Sequence, residues 1–271
     1  MFSKRLLVAY IFLLVSAICL TVVLIYFKPM RFPVRDYPQI HEEGVLRIVT
    51  EYDYTGYYVS GDRIEGFQYA LSREIARLSG MEVLMYLEMS LGKSFYGLSA
   101  GQYDIVARNI PVTSELKERY LFLDPVMLNR QVLVQRTAAA NFGIEPLRNQ
   151  LNLAHKTLRV PAESPALLRL ANLQREIGDT IFVIEDPLYS SEQLCIMVAG
   201  GDIDFAVCDL QVAQRLKKLF PALDIDTDIS FTQLQSWAVR RNATVLADSL
   251  NCWLKRIRDS GVYDRIYREY Y

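Results

Sequence analysis

GVLRIVTEYDYTGYYVSGDRIEGFQYALSREIARLSGMEV, residues 44–83, is the stretch that decides the fold. Its first run, Val45–Thr50, is short, apolar and β-branched, which reads as a strand. Phe67, Leu71, Ile75 and Leu78 then recur at the spacing that puts them on one helical face, and Gly80 supplies a left-handed stop. Met81–Met89 reads as a second strand, Ser94–Ala100 as a short helix closed by Gly101, and Asp104–Arg108 as a third strand. Strand, helix, strand, helix, strand implies a parallel sheet covered by helices, because parallel neighbours need a crossover between them.

The alternation recurs downstream. Thr157–Val160, Thr180–Ile184 and Ile203–Cys208 read as strands, with Pro165–Ile177 and Ser191–Ala199 as the helices between them. Two α/β lobes follow, joined by the apolar extended segment Gln131–Gln135. Near the end, Leu246, Leu250, Trp253, Leu254 and Ile257 form the core-facing stripe of a closing helix that begins at about Ala243. The expected boundaries are 44–131 plus 234–271 for the first lobe and 132–233 for the second.

Upstream, Leu6–Phe27 is a run of 22 residues without a charge. At about 1.5 Å per residue it is long enough for a hydrocarbon layer of about 30 Å. It reads as an uncleaved transmembrane signal anchor rather than a signal peptide, whose apolar core is shorter and ends in small residues. Residues 1–5 would then be the cytoplasmic end, although Lys4 and Arg5 before the run and Lys28, Arg31 and Arg35 after it leave the positive-inside rule undecided. Residues 28–43 carry three prolines and little apolar periodicity, which reads as a tether.

Composition excludes several classes. With 30 Lys+Arg against 31 Asp+Glu the net charge is −1, so there is no basic surplus for nucleic acid. Two histidines, His41 and His155, and no C-x-x-C pair give no basis for a metal site, and no cofactor is expected. Cys195 and Cys208 are expected to be buried as small apolar residues and Cys252 lies on the last helix, with the disulfide state of all three open.

Four segments together carry a resemblance: residues 44–83; AGQYDIVARNIPVTSELKERYLFLDP (100–125); AGGDIDFAVCD (199–209); and SGVYDRIYREYY (260–271). In order and spacing they resemble the family 3 periplasmic solute-binding proteins, over about residues 44–271. Within that superfamily the chain is most similar to the non-catalytic ligand-binding domain of the membrane-bound lytic transglycosylases F. Those proteins carry a lysozyme-like domain after it, whereas this chain stops at Tyr271, so recognition rather than catalysis is expected.

The resemblance implies a type II periplasmic-binding-protein-like fold whose lobes close about a hinge at Gln131–Gln135 and a returning segment near Phe231–Val239. It also implies candidate ligand contacts. Tyr52, Tyr54 and Tyr57, with Tyr58, would form an aromatic wall after the first strand. Thr113 would cap the helix start that helps bind a ligand carboxylate, but the arginine expected three residues later is Leu116. Arg108 is the candidate substitute, with Arg119 a surface residue. Ser164 falls in the anion-binding turn of the second lobe, where Glu163 replaces a glycine, and Asp209 matches the position that pairs with a ligand ammonium. Ala70 and Gln68 also depart from the usual pattern.

The expected function is therefore a solute-binding domain on the periplasmic side of a bacterial inner membrane, single-pass and anchored. It would close on a small ligand, amino-acid-like or murein-peptide-like, for sensing, regulation or transport, with an envelope protein or transporter as partner. The alternatives are a ligand-free protein-interaction scaffold of the cell envelope and a lyase or dehydratase on the same fold, using Glu51, Glu163 and Asp209 as acid–base groups.

Overall fold

The computed structural model describes residues 13–18, 21 and 35–271. The chain divides into two units, Met1–Pro33 and Val34–Tyr271. In the first, the described residues are helical. The rest of the expected span Leu6–Phe27 lies outside the described residues, and among those described no helix is long and apolar enough to cross a membrane.

The expected tether 28–43 is corrected over its second half. Tyr37–Glu43 is a helix, α1, started by a capping box in which the Asp36 side chain and Gln39 satisfy each other's backbone N–H groups. Ile40 of α1 is fully buried in the core, so this segment is part of the folded body; 28–34 lie outside the described residues.

The first sheet begins with β1 (Val45–Thr50), followed by a small hairpin of β2 (Tyr58–Ser60) and β3 (Arg63–Glu65). Then come α2 (Phe67–Ser79), β4 (Glu82–Leu87), α3 (Leu91–Ala100) and β5 (Ile105–Pro111). A short helix α4 (Ser114–Arg119) leads to β6 (Tyr120–Phe122) and β7 (Met127–Asn129). Strand order is β4-β1-β5, all parallel, and then the returning strand β13 (Gln233–Arg240), antiparallel to β5, β6 and β7. Phe67, Leu71 and Ile75 of α2 are fully buried as their spacing predicts, beside Leu246, Leu250, Leu254 and Ile257 of α8 (Thr244–Asp259). The last helix, α9 (Val262–Tyr270), packs on the same core.

The second sheet repeats the plan. β8 (Gln131–Arg136) and β9 (Thr157–Pro161) are followed by α5 (Ala166–Ile177), β10 (Phe182–Asp186), α6 (Ser191–Gly200), β11 (Phe205–Asp209), α7 (Leu210–Leu219) and β12 (Leu223–Asp228). Its order is β10-β9-β11-β8-β12, with β9, β10 and β11 parallel and β8 antiparallel to its neighbours. Gln131–Gln135 is thus a fully buried strand of the second sheet, not a free hinge: helices cover both its faces. The chain crosses between sheets only at Arg130 and again between β12 and β13.

At the amino end of β5 the fully buried Asp104 is saturated. Arg35 donates to both its oxygens (3.1 and 2.9 Å), Arg240 donates at 3.2 Å, and the Arg47 backbone N–H at 3.0 Å. This pins the entry of α1 to the sheet. Buried Cys195 and Cys208 are free thiols 3.4 Å apart between α6 and β11, and Cys252 is exposed and free.

Candidate functional site

Parallel strands end where helix N-termini begin, so the carboxyl edges of such sheets collect loops and polar groups. Here the two edges face each other across a cavity of about 500 Å³. From the first lobe it is lined by the loop after β1, the turn between β4 and α3, and Arg108 to Ile110 of β5; from the second, by the turns after β9 and β10 and by Asp209 at the end of β11.

Three of the seven expected contact residues line this cavity: Arg108, Ser164 and Asp209. Arg108 is already engaged. Its guanidinium donates to the Glu51 carboxylate and, more weakly, to the backbone carbonyls of Glu88 and Met89 (3.4 and 3.3 Å). The Ser164 hydroxyl accepts the Ala166 N–H at 3.2 Å, capping α5 together with Pro165. Asp209 differs from both. It stands before α7 without capping it and, among the described residues, its carboxylate meets only the Gln235 side-chain amide, at 3.5 Å. Burial, opposed by that amide and reinforced by the Glu51 charge, pushes its carboxyl up to about 7.

The other four lie outside the cavity lining, which corrects the aromatic-wall expectation. Tyr54 stacks on Tyr58 at 4.8 Å, and the Arg215 guanidinium of α7 sits over its ring, 3.1 Å from the centroid, so its face is used by the other lobe. Tyr57 packs edge-on against Tyr69, and Tyr52 is half exposed beside it in the same loop. The Thr113 hydroxyl accepts the Leu116 N–H at 3.3 Å and so caps α4; Leu116 is half buried against Phe95 and Tyr120. Arg119 is exposed, over the Tyr120 ring.

Glu163 was expected as a disturbance of the anion-binding turn, and its backbone does keep a left-handed conformation at φ 58°. Its carboxylate reaches across the cavity to the N-terminus of α3, where it accepts from the Ser90 hydroxyl and from the Gly92 N–H at 2.9 Å. Those two donors, more than Arg108 and Lys93 nearby, hold it below the usual carboxylate range. A Cβ at Gly92 would lie 3.2 Å from the Glu163 carboxylate, so any other residue there would make that carboxylate give by a few tenths of an ångström.

Sequence reasoning missed three cavity residues. Asp53 accepts from the Thr55 hydroxyl and the Gly56 N–H, and burial with the Glu51 charge raises it well above an ordinary aspartate. Burial also raises Glu192, against the pull of Arg215 at 3.0 Å. Gln131 is 4% exposed, and its side-chain oxygen has no hydrogen-bond partner among the described residues. In sequence Gln131 is only the polar edge of an apolar run; nothing there marks it.

The cavity also connects to the core. Trp237 donates to Gln68 (2.6 Å), Gln68 to Asn109 (2.7 Å), and the cavity-lining Asn109 to the Tyr271 hydroxyl (3.1 Å). Gln68, at a position where the resemblance noted a departure, is thus a buried relay between lobe core and cleft.

Comparison with known proteins agrees with this architecture. The family model for bacterial extracellular solute-binding proteins, family 3, matches residues 46–271. The chain belongs to this family. Among relatives, this solute-binding chain is 25% identical over 254 residues to the membrane-bound lytic murein transglycosylase F of Desulfosudis oleivorans, covering 94% of the chain and 54% of the relative. It is 24% identical over 233 residues to the enzyme of the same name from Cronobacter sakazakii, covering 85% and 44%. The chain thus spans about half the length of the curated relatives it matches. Among solved structures, an arginine-binding protein mutant from T. maritima superposes with a TM-score of 0.72 at 24% identity, covering 86% of this chain and 97% of that one. Tv2483 bound to L-arginine gives 0.76 at 18% identity, covering 88% and 96%. Both show the two-lobed α/β fold of periplasmic binding proteins.

Proposed function

We propose that this chain is an extracytoplasmic solute-binding domain, anchored in the bacterial inner membrane by Leu6–Phe27, that closes on a small amine-bearing ligand to sense or deliver it rather than to transform it. One observation carries the reading: Asp209, half-buried at the carboxyl edge of the second sheet and facing the first, has no cationic partner among the described residues. Burying a carboxylate without a cation is costly, and a ligand ammonium would relieve that cost. The arginine-binding neighbours and the transglycosylase relatives support two ligand sources, free amino acids and murein peptides.

Thermal unfolding of the full chain in detergent against amino acids, amines, murein peptides and muropeptides tests this. A ligand at 100 times its dissociation constant stabilises by about 2.7 kcal/mol. A shift with any compound that disappears in Asp209→Asn supports the reading; no shift with any compound sinks it. A second reading, a closed protein-interaction scaffold, is favoured by the direct bridges of Glu163 to α3 and Arg215 to Tyr54. It predicts that every panel compound is without effect.

A further inference from the structure

Resting on the solute-binding reading, we propose that the cleft takes a small dicationic amine without a carboxylate, a diamine or guanidino-alkylamine, with one end between Asp209 and Gln131 and the other toward Asp53.

The anion seats of the cleft are filled by the chain itself. Arg108 holds Glu51, and the N-terminus of α3 holds Glu163. Thr113 is spent on its own helix, and Leu116 offers no charge. Of the charged residues lining the cavity, seven are carboxylates and only Arg108 and Lys93 are cationic. A ligand carboxylate entering here would meet repulsion without a free guanidinium fork to bind it.

The cation seats are open. In the antiparallel ladder of β8 and β11, Gln131 is directly opposite Asp209, so the two side chains project from the same face as close neighbours. A buried carboxamide oxygen with no partner beside a carboxylate with no cation is an acceptor pair for an ammonium or guanidinium group. Gln131 is the observation independent of charge: an unsatisfied acceptor in a cavity wall asks for an N–H donor whatever the protonation of the acids.

Asp53 is the second cavity carboxylate with no ion pair among the described residues: it is bonded to Thr55 and Gly56 and feels the Arg108 charge only from a distance. Asp53 and Asp209 both raise the Tyr271 phenol, although burial raises it most, so both carboxylates lie near one hydroxyl at the cavity. Among the described residues no three acidic, histidine or cysteine side chains come together as a metal-binding set. Two acids without a third gathered to them suit a ligand carrying two positive groups better than a hard metal ion, which takes about six or more oxygen ligands.

Isothermal titration of the full chain in detergent with agmatine, cadaverine and putrescine, each paired with the amino acid that keeps the carboxylate (L-arginine, L-lysine, L-ornithine), tests the proposal. At least one amine should bind about tenfold or more tightly than its amino acid, the usual weight of a charged interaction. Asp209→Asn should weaken amine binding by about tenfold or more, and Gln131→Met by about three- to tenfold. Gln131 makes no side-chain hydrogen bond among the described residues, so Gln131→Met tests the seat without removing a structural contact seen there. Amino acids binding as tightly as the amines would overturn the ligand class and leave the solute-binding reading standing. So would a murein peptide binding where no amine does. Absence of binding by all three classes would overturn both.

Discussion

Asp104 and Asp209 occupy opposite ends of corresponding strands. β5 and β11 are each the third parallel strand of their sheet, and each has an antiparallel strand on its other side, β13 or β8. Asp104, at the amino end of β5, is enclosed by Arg35, Arg240 and the Arg47 N–H; Asp209, at the carboxyl end of β11, has one long contact to Gln235. Asp104 is fully removed from water and Asp209 partly, but only Asp104 is satisfied from within. The sheet plan repeats while the chemistry of its two edges does not, which is how a common fold carries a particular site.

The comparison breaks first at Asp104. Asp104→Ala leaves Arg35 and Arg240 buried side by side without their carboxylate, and should cost about 3–5 kcal/mol by urea unfolding. A loss below about 1 kcal/mol would show that the cluster holds nothing together.

Asp209→Asn should act in the opposite direction. A carboxyl raised to about 7 in the folded state keeps its proton longer there than in the unfolded chain. The folded state then binds more protons between about pH 4 and 7, so its stability falls as pH rises through that window and stays reduced above it. The asparagine variant should lose this slope and be more stable at pH 8 by about 2–4 kcal/mol, at 1.36 kcal/mol per unit. A variant whose pH profile overlays that of the parent would place Asp209 among the satisfied carboxylates with Asp104.

The smallest effect is expected at the Glu163 bridge, which is exposed and therefore screened. Glu163→Gln should cost about 0.3–1 kcal/mol, the worth of a charge at a helix N-terminus. Because its carboxyl is lowered, the contribution is present above the ordinary glutamate range and is lost as pH falls through the folded value. Small-angle scattering should show a larger radius of gyration for Glu163→Gln and for Gly92→Ala, whose new methyl group crowds the carboxylate. Unchanged scattering for both would mean that the lobes are held by other contacts.

What the sequence disclosed was periodicity. The stripe Phe67, Leu71, Ile75 and the stripe Leu246, Leu250, Leu254, Ile257 bury as their spacing predicts, because core burial is a local pattern along one helix face. Thr113 before Ser114–Arg119 was legible as a cap for the same reason. The capping box at Asp36 was equally local and lay hidden under the prolines around it. Contacts between distant segments leave no such trace. Glu163 with Gly92, Arg108 with Glu51, Arg215 over Tyr54 and Gln131 opposite Asp209 join residues far apart in the chain, and even where one partner was a candidate in the sequence, nothing along the chain named the other.

The hydrogen-bonded line from Trp237 through Gln68 and Asn109 to Tyr271 gives the cleft an optical readout. The indole is fully buried, and its N–H ends a chain of donors whose cavity-facing member is Asn109. Any ligand that turns the Asn109 amide must redistribute charge along that line and shift the emission of a tryptophan it never touches. Trp253, on the far face of the same core beside Tyr37, serves as the internal reference.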